Sequence, residues 1–303
     1  MRVSYCPDYY VPLPAGHPFP MAKFPELHRI LRAEGLIADA DVIEPEEAPW
    51  DLLESVHTRD YLDHLRTGTL GREAERRLGL PWSARLARRS RLAVQGTLNA
   101  AEMALEDGIA ANLAGGTHHA FAGHGEGFCV LNDVAVTVRH LTATGRIRRS
   151  LVVDLDVHQG NGTAAILADD PAAFTLSVHG ASNYPFHKTK SDLDLPLEDG
   201  TGDGPYLELL AAQLPALLDL HRPDLVLYLG GVDVLEGDRY GRLALTREGL
   251  RRRDRLVIGA AAQRGTPMVL LMSGGYAPSP TATADLHAIA HREARGILER
   301  AGS

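Results

Sequence analysis

Residues 154–162 read Asp-Leu-Asp-Val-His-Gln-Gly-Asn-Gly, directly after the apolar run Ser150-Leu-Val-Val, which predicts a buried strand. Residues two apart in an extended chain face the same way. Asp154, Asp156 and His158 are therefore candidates for one face at a strand's end, with Gly160 and Gly162 breaking the strand beyond them. Two carboxylates and an imidazole so placed are candidate metal ligands. A bland strand would put its acids in water on the opposite face; the plainer reading of the segment is a capped turn after a strand.

Further along, Gly230-Gly-Val-Asp233 follows a second apolar run and offers a third ligand. Three protein ligands leave one coordination position open, the pattern of a catalytic rather than a structural zinc. Gly115-Gly-Thr-His118-His119-Ala adds two imidazoles, whose ordinary pKa lies near working pH and suits acid–base work. After them comes Gly125-Glu-Gly127-Phe128-Cys129-Val-Leu-Asn132-Asp133, with glycines that permit a tight turn close to a ligand. Tyr276, after Ser273-Gly-Gly275, could donate its phenolic hydrogen to an oxygen that turns negative in a transition state. Taken singly, each has a plainer role: a helix cap for Asp233, a polar loop for the paired histidines, packing for Tyr276. His28, His64 and His140 fall on predicted helices and are read as surface or core residues.

The elements that must position these residues alternate along the chain. Strands are predicted over 2–5, 151–154, 174–178, 225–229 and 268–272, and helices over 22–33, 59–65, 83–106, 134–142, 206–220, 246–263 and 284–299. Such alternation predicts a mostly parallel sheet covered on both faces. Sites in open parallel sheets form at the carboxyl ends of strands, and three of the candidate segments directly follow strands. Residues 1–303 read as one domain, without repeats or a low-complexity linker.

Composition narrows the function. A net charge of -8 argues against nucleic-acid binding, and Arg251-Arg-Arg253, flanked by Glu248 and Asp254, reads as a solvated helix face. No stretch is apolar enough to span a membrane, and the amino terminus lacks an apolar leader core. Two cysteines fit a reducing cytoplasm, and 14 histidines make imidazole and carboxylate the ligands to expect.

In order along the chain, His-His, Gly-Phe-Cys-x-x-Asn-Asp, Asp-x-Asp-x-His-x-Gly-Asn-Gly, Gly-x-Asp-x-x-x-Gly-Asp and Gly-Gly-Tyr resemble the histone deacetylase family of zinc-dependent deacylases. His17-Pro-Phe and Val56-His-Thr-Arg-Asp-Tyr-Leu62 extend the resemblance over nearly the whole chain. It implies the three-layer arginase–deacetylase α/β fold and hydrolysis of the amide of an N-acyl-lysine in proteins or peptides. Carried over by position, it implies Asp156, His158 and Asp233 as ligands of Zn2+, or of Fe2+ in the same place. His119 would be the general base and His118 its electrostatic neighbour, oriented by Asp154. A structural K+ would lie among Asp154, Asp156, His158, Ser177 and Val178. Tyr276 would polarise the amide carbonyl, the Gly127 backbone would meet the substrate amide, and Phe128, Phe186 and Tyr240 would border the acyl-lysine channel. Tyr184 and Lys23 align more loosely with the channel and its inner end.

Two departures stand out. Many relatives have a His and an Asp where this chain has Gln159 and Asn161. A neutral Asn stabilises an imidazolium less than a carboxylate does. His-Gln-Gly-Asn-Gly resembles the class IV branch and its bacterial relatives, some of which prefer long acyl groups. Deacetylases of acetylpolyamines often carry a gatekeeper Glu where Tyr240 stands here, which lowers the alternative of a small N-acyl amine substrate. A non-catalytic acyl-lysine binder would not need both histidines, the tyrosine and all three ligands. A two-manganese ureohydrolase would need another acid where Gln159 and Gly160 stand.

Overall fold

In the computed structural model, which describes residues 1–301, eight strands form one sheet in which every pairing is parallel. The strands are β1 (Val3–Ser4), β2 (Val42–Ile43), β3 (Ile109–Asn112), β4 (Ser150–Asp154), β5 (Ala173–Gly180), β6 (Leu193–Leu197), β7 (Leu225–Leu229) and β8 (Met268–Leu271). Their order across the sheet is β2-β1-β3-β8-β7-β4-β5-β6. Helices fill the connections: α1 (Lys23–Ala33), α2 (Trp50–Leu53), α3 (Arg59–Thr67), α4 (Arg72–Leu78), α5 (Ala84–Asp107), α6 (Asp133–Ala143), α7 (Asn161–Leu167), α8 (Asp203–His221), α9 (Arg247–Ala262) and α10 (Pro280–Ala301).

The central strands are apolar on both faces, as a sheet covered on both sides demands. Along β4, Leu151 and Val153 enter one hydrophobic core while Val152 enters the other. In β7, Val226 and Tyr228 oppose Leu225, Leu227 and Leu229 in the same way. Helices α1, α8, α9 and α10 pack on the first side; α3, α6 and most of α5 pack on the second. Polar caps begin several of them. Ser83 accepts from the Leu86 amide at the start of α5, and Asn132 accepts from the Ala135 amide at the start of α6.

Three strands escape the sequence pattern for identifiable reasons. β2 has two residues, and β3, Ile-Ala-Ala-Asn, has helix-forming alanines directly after a long helix. β6 carries Pro196, tolerated because this strand lies at the sheet edge. The basic run on α9 also needs correction. Arg253 is buried, donates to the carbonyls of Gly231 at 2.6 Å and Leu155 at 3.4 Å, and pairs with Asp254 at 2.8 Å. Of the run, Arg251 is half-buried and only Arg252 is exposed, while Asp254 is buried with Arg253, because successive helical residues point some 100° apart.

The topology places β3, β8, β7 and β4 side by side. The loops leaving their carboxyl ends carry the tandem histidines, Tyr276, Asp233, and the Asp156–His158 pair. Hydrogen bonding continues beyond the strands: the Leu155 amide donates to Leu229 O at 3.1 Å, Val232 to Gly274 O at 3.0 Å, and Ser273 to Gly115 O at 3.2 Å. These loops are extensions of the sheet, which fixes their relative positions.

Candidate active site

Asp156, His158 and Asp233 meet, all buried, with one ligand atom from each lying within 4.8 Å of the others. His158 Nδ1 is 3.1 Å from Asp156 Oδ1 and 3.3 Å from Asp233 Oδ2. The remaining carboxylate oxygens are held by the loops. Asp156 Oδ2 accepts from the Gly274 amide at 2.6 Å and the Ser273 hydroxyl at 2.8 Å; Asp233 Oδ1 accepts from the Val157 amide at 3.0 Å. At position 274 only glycine fits, since a Cβ would lie 2.6 Å from Asp156 Oδ2.

Asp233 Oδ2 is buried, and beyond its 3.3 Å approach to His158 Nδ1 it makes no hydrogen bond. A buried, unpartnered carboxylate oxygen is costly unless a cation occupies its lone pair. Burial, followed by the neighbouring Asp156 charge, pushes the Asp233 carboxyl up to about 6. Two carboxylates and one imidazole form an oxygen–nitrogen donor set suited to a divalent transition metal. The residues present therefore fit the metal that the sequence implies.

The tandem histidines lie against this cluster, with ring centroids 4.1 Å apart. Asp154 has turned from the cluster to His118, its Oδ2 lying 2.7 Å from Nδ1. Burial opposes a charged His118, but Asp154 and Asp156 outweigh it and push the imidazole up to about 9. His119 lies 2.7 Å from Asn161 Oδ1 through its Nδ1. Burial, then the positive fields of His118 and His158, holds His119 well below the ordinary imidazole range. Adjacent in sequence, the two rings are thus driven in opposite directions.

Residues outside the expected set build the loop that carries them. Asp133 accepts from the amides of Gly116 at 3.0 Å and Thr117 at 2.8 Å. His57 receives the Asn132 amide on Nε2 at 3.0 Å, so its Nδ1 carries the hydrogen and donates to Phe121 O at 3.1 Å. Asp238 ties two further loops together, accepting from the amides of Tyr240 at 2.9 Å and Tyr276 at 2.7 Å. Asn132, Asp133, His57 and Asp238 lie inside sequence motifs, which signal them without disclosing these structural tasks.

A cavity of about 330 Å³ leads down to the cluster, bordered by Arg77, Phe128, His119, Tyr184, Tyr240 and Tyr276. Phe128 and Tyr240 flank Tyr276, with ring centroids 6.0 and 4.8 Å from it. Gly127 adopts φ +55°, and a Cβ there would lie 2.7 Å from the His119 ring. Phe186 does not join this wall. It is 81% exposed, and Tyr184 takes the inner place, its hydroxyl bonded to Glu126 and its ring edge-on to His119 at 5.0 Å. Buried Lys23 donates to Ser273 O at 2.8 Å, and its ammonium lies 5.8 Å from the Tyr276 ring. Ser177 pairs with Asp154 across the β4–β5 ladder, and Val178 is the next residue.

Comparison with known proteins gives a consistent class. The histone deacetylase domain model matches residues 17–292. An uncharacterised protein of Picosynechococcus sp. is 48% identical over 295 residues, covering 97% of this chain and 98% of that one. Histone deacetylase 2 of Arabidopsis thaliana is 34% identical over 272 residues, covering 87% and 70%. Among solved structures, an HDAC homologue complexed with SAHA superposes with a TM-score of 0.78 at 24% identity, covering 99% of this chain and 88% of that one. The fold is the α/β arginase–deacetylase type, and the class is an amidohydrolase-type deacetylase. More narrowly, the chain belongs to the histone deacetylase family.

Proposed function

We propose that this protein is a zinc-dependent lysine deacylase that hydrolyses the amide of N-acyl-lysine in proteins or peptides. The observation that carries this reading is the meeting of the buried Asp156–His158–Asp233 cluster with a His119 ring oriented by Asn161. When bound to that cluster, Zn2+, or Fe2+ in its place, supplies the Lewis acidity for attack of water on the amide.

The chain's own groups do the rest. Asn161 accepts the Nδ1 hydrogen of His119, leaving its Nε2 lone pair free toward the cavity. A neutral imidazole there takes a proton from the attacking water and returns it to the leaving amine. His118, held charged by Asp154, supplies positive potential beside the developing oxyanion. Tyr276 donates its hydroxyl hydrogen to that oxyanion. Phe128, Tyr184 and Tyr240 enclose the lysine stem, and the Gly127 backbone meets its amide. The cross-strand pair Asp154–Ser177, with Asp156, His158 and Val178, supports a structural K+ behind the cluster.

Gln159 and Asn161 favour a class IV-like enzyme. Among the described residues bordering the cavity none is a carboxylate, and Arg76 and Arg77 are among them, which disfavours a cationic polyamine. The test is a panel of acyl-lysine peptides, from acetyl to myristoyl and including lactyl, assayed beside acetylpolyamines. Turnover of peptides is expected; turnover of polyamines alone would move the substrate to the small amines.

A further inference from the structure

We propose that Glu126 is a positioning residue for catalysis: its carboxylate fixes the Asn161 amide, and through it the hydrogen on His119, restoring at one remove the negative charge that Asn161 lacks. The proposal rests on His119 being the base. Three contacts carry it. Asn161 Nδ2 donates to Glu126 Oε1 at 3.0 Å, Asn161 Oδ1 faces His119 Nδ1 at 2.7 Å, and the Tyr184 hydroxyl also donates to Glu126 Oε1.

An amide side chain can turn over, presenting either its oxygen or its NH2 to a neighbour. An ionised carboxylate only accepts, so Asn161 must turn its NH2 toward Glu126. Its oxygen then faces His119, and an oxygen can only receive a hydrogen from Nδ1. His119 is left with its hydrogen on Nδ1 and its lone pair on Nε2, the form a base toward the cavity needs. With no acid at 126, Asn161 could present NH2 to Nδ1, moving the imidazole hydrogen to Nε2 and silencing the base. When His119 takes up a proton, the same carboxylate, polarising the amide between them, stabilises the imidazolium.

Glu126 is itself held in place. A tight turn links its amide to Cys129 O at 3.0 Å and the Cys129 amide to its own carbonyl at 2.8 Å. His124 Nε2 lies 3.4 Å from its other carboxylate oxygen. The side chain is 17% exposed, so it lies largely out of water beside Asn161, where a charge is screened less than at the open surface.

The test uses the zinc-loaded full chain, Glu126→Gln, Asn161→Asp and the double variant, with metal content and melting temperature measured for each. Glu126→Gln is close to isosteric and is expected to fold and to retain its metal. Its kcat/KM on an acyl-lysine peptide is expected to fall ~10–100-fold, the usual range for a residue that orients an active group. With Asn161→Asp, a carboxylate accepts the His119 hydrogen directly and also faces Glu126 with like charge. Adding Glu126→Gln to that variant is expected to cost nothing or to raise activity. An equal loss in both backgrounds would make Glu126 a structural support and overturn the proposal. Independently of turnover, nitrogen NMR of histidine-labelled enzyme reads the His119 tautomer: hydrogen on Nδ1 in the parent, with a shift toward Nε2 in Glu126→Gln. An unchanged tautomer also overturns the proposal. Retained activity in His119→Ala would instead defeat the base assignment, whatever the tautomer shows.

Discussion

At the residue scale, chemistry is set by what stands behind each ring. His118 and His119 are neighbours of the same type, yet a carboxylate backs one and an amide the other. Alternation along a strand marks Asp154, Asp156 and His158 as one set, and folding divides them, because the backbone leaves the strand after Asp154. The cluster members and tandem histidines were legible as motifs. Glu126 was not: nothing in Gly-Glu-Gly announces that the turn aims its carboxylate at Asn161. Phe186 was misplaced for a related reason, since aromatic character does not say which of Tyr184 and Phe186 turns inward. Replacing His119 with Ala removes the only proton acceptor assigned to the attacking water, whereas Asn161→Ala only loosens it. A larger loss of kcat is therefore expected for His119→Ala, and the reverse order in steady-state assays would contradict the assignment. Tyr276→Phe removes the proposed oxyanion donor and is expected to lower kcat by about 10²–10³ while metal content stays unchanged.

At the scale of elements, the long, strongly patterned strands and helices were legible, and the parallel sheet follows from their alternation. What sequence does not disclose is strand order. Only the order β3-β8-β7-β4 shows that the tandem-histidine loop, which leaves β3 well before β4 in sequence, lies across the sheet beside the Tyr276 loop. Arg253 belongs to this scale as well. Its guanidinium bridges Leu155 O and Gly231 O, in the loops that lead to Asp156, His158 and Asp233, while Tyr228 and Arg253 share Asp254 Oδ1. Arg253→Met would strand a buried carboxylate and is expected to cost about 3–5 kcal/mol in urea denaturation. A loss under about 1 kcal/mol, the usual range for exposed charge, would show that this arginine supports nothing.

At the scale of the whole molecule, a histidine buried in its neutral form makes stability sensitive to acid. His57 is enclosed, and burial holds its imidazole down to about 4 from an ordinary 6.5. The unfolded chain therefore takes up this proton first as pH falls, so its contribution to stability is intact above 6.5 and is lost progressively toward 4. The loss at pH 4 from this one ring amounts to about 3 kcal/mol. His57→Gln, though less stable at neutral pH, is expected to lose less stability than the parent between pH 7 and 4.5; parallel curves in denaturant titrations would contradict this. The cluster of Asp156, His158 and Asp233 would add to this, since a cation held there stabilises only the folded chain that assembles it. The most direct measurement of the central claim is metal content and acyl-lysine peptide hydrolysis on the same samples, before chelation, after it, and after zinc is returned. One divalent ion per chain is expected, with activity and melting temperature lost on chelation and restored together by zinc. Two manganese ions per chain, or turnover unchanged in metal-free protein, would contradict the account.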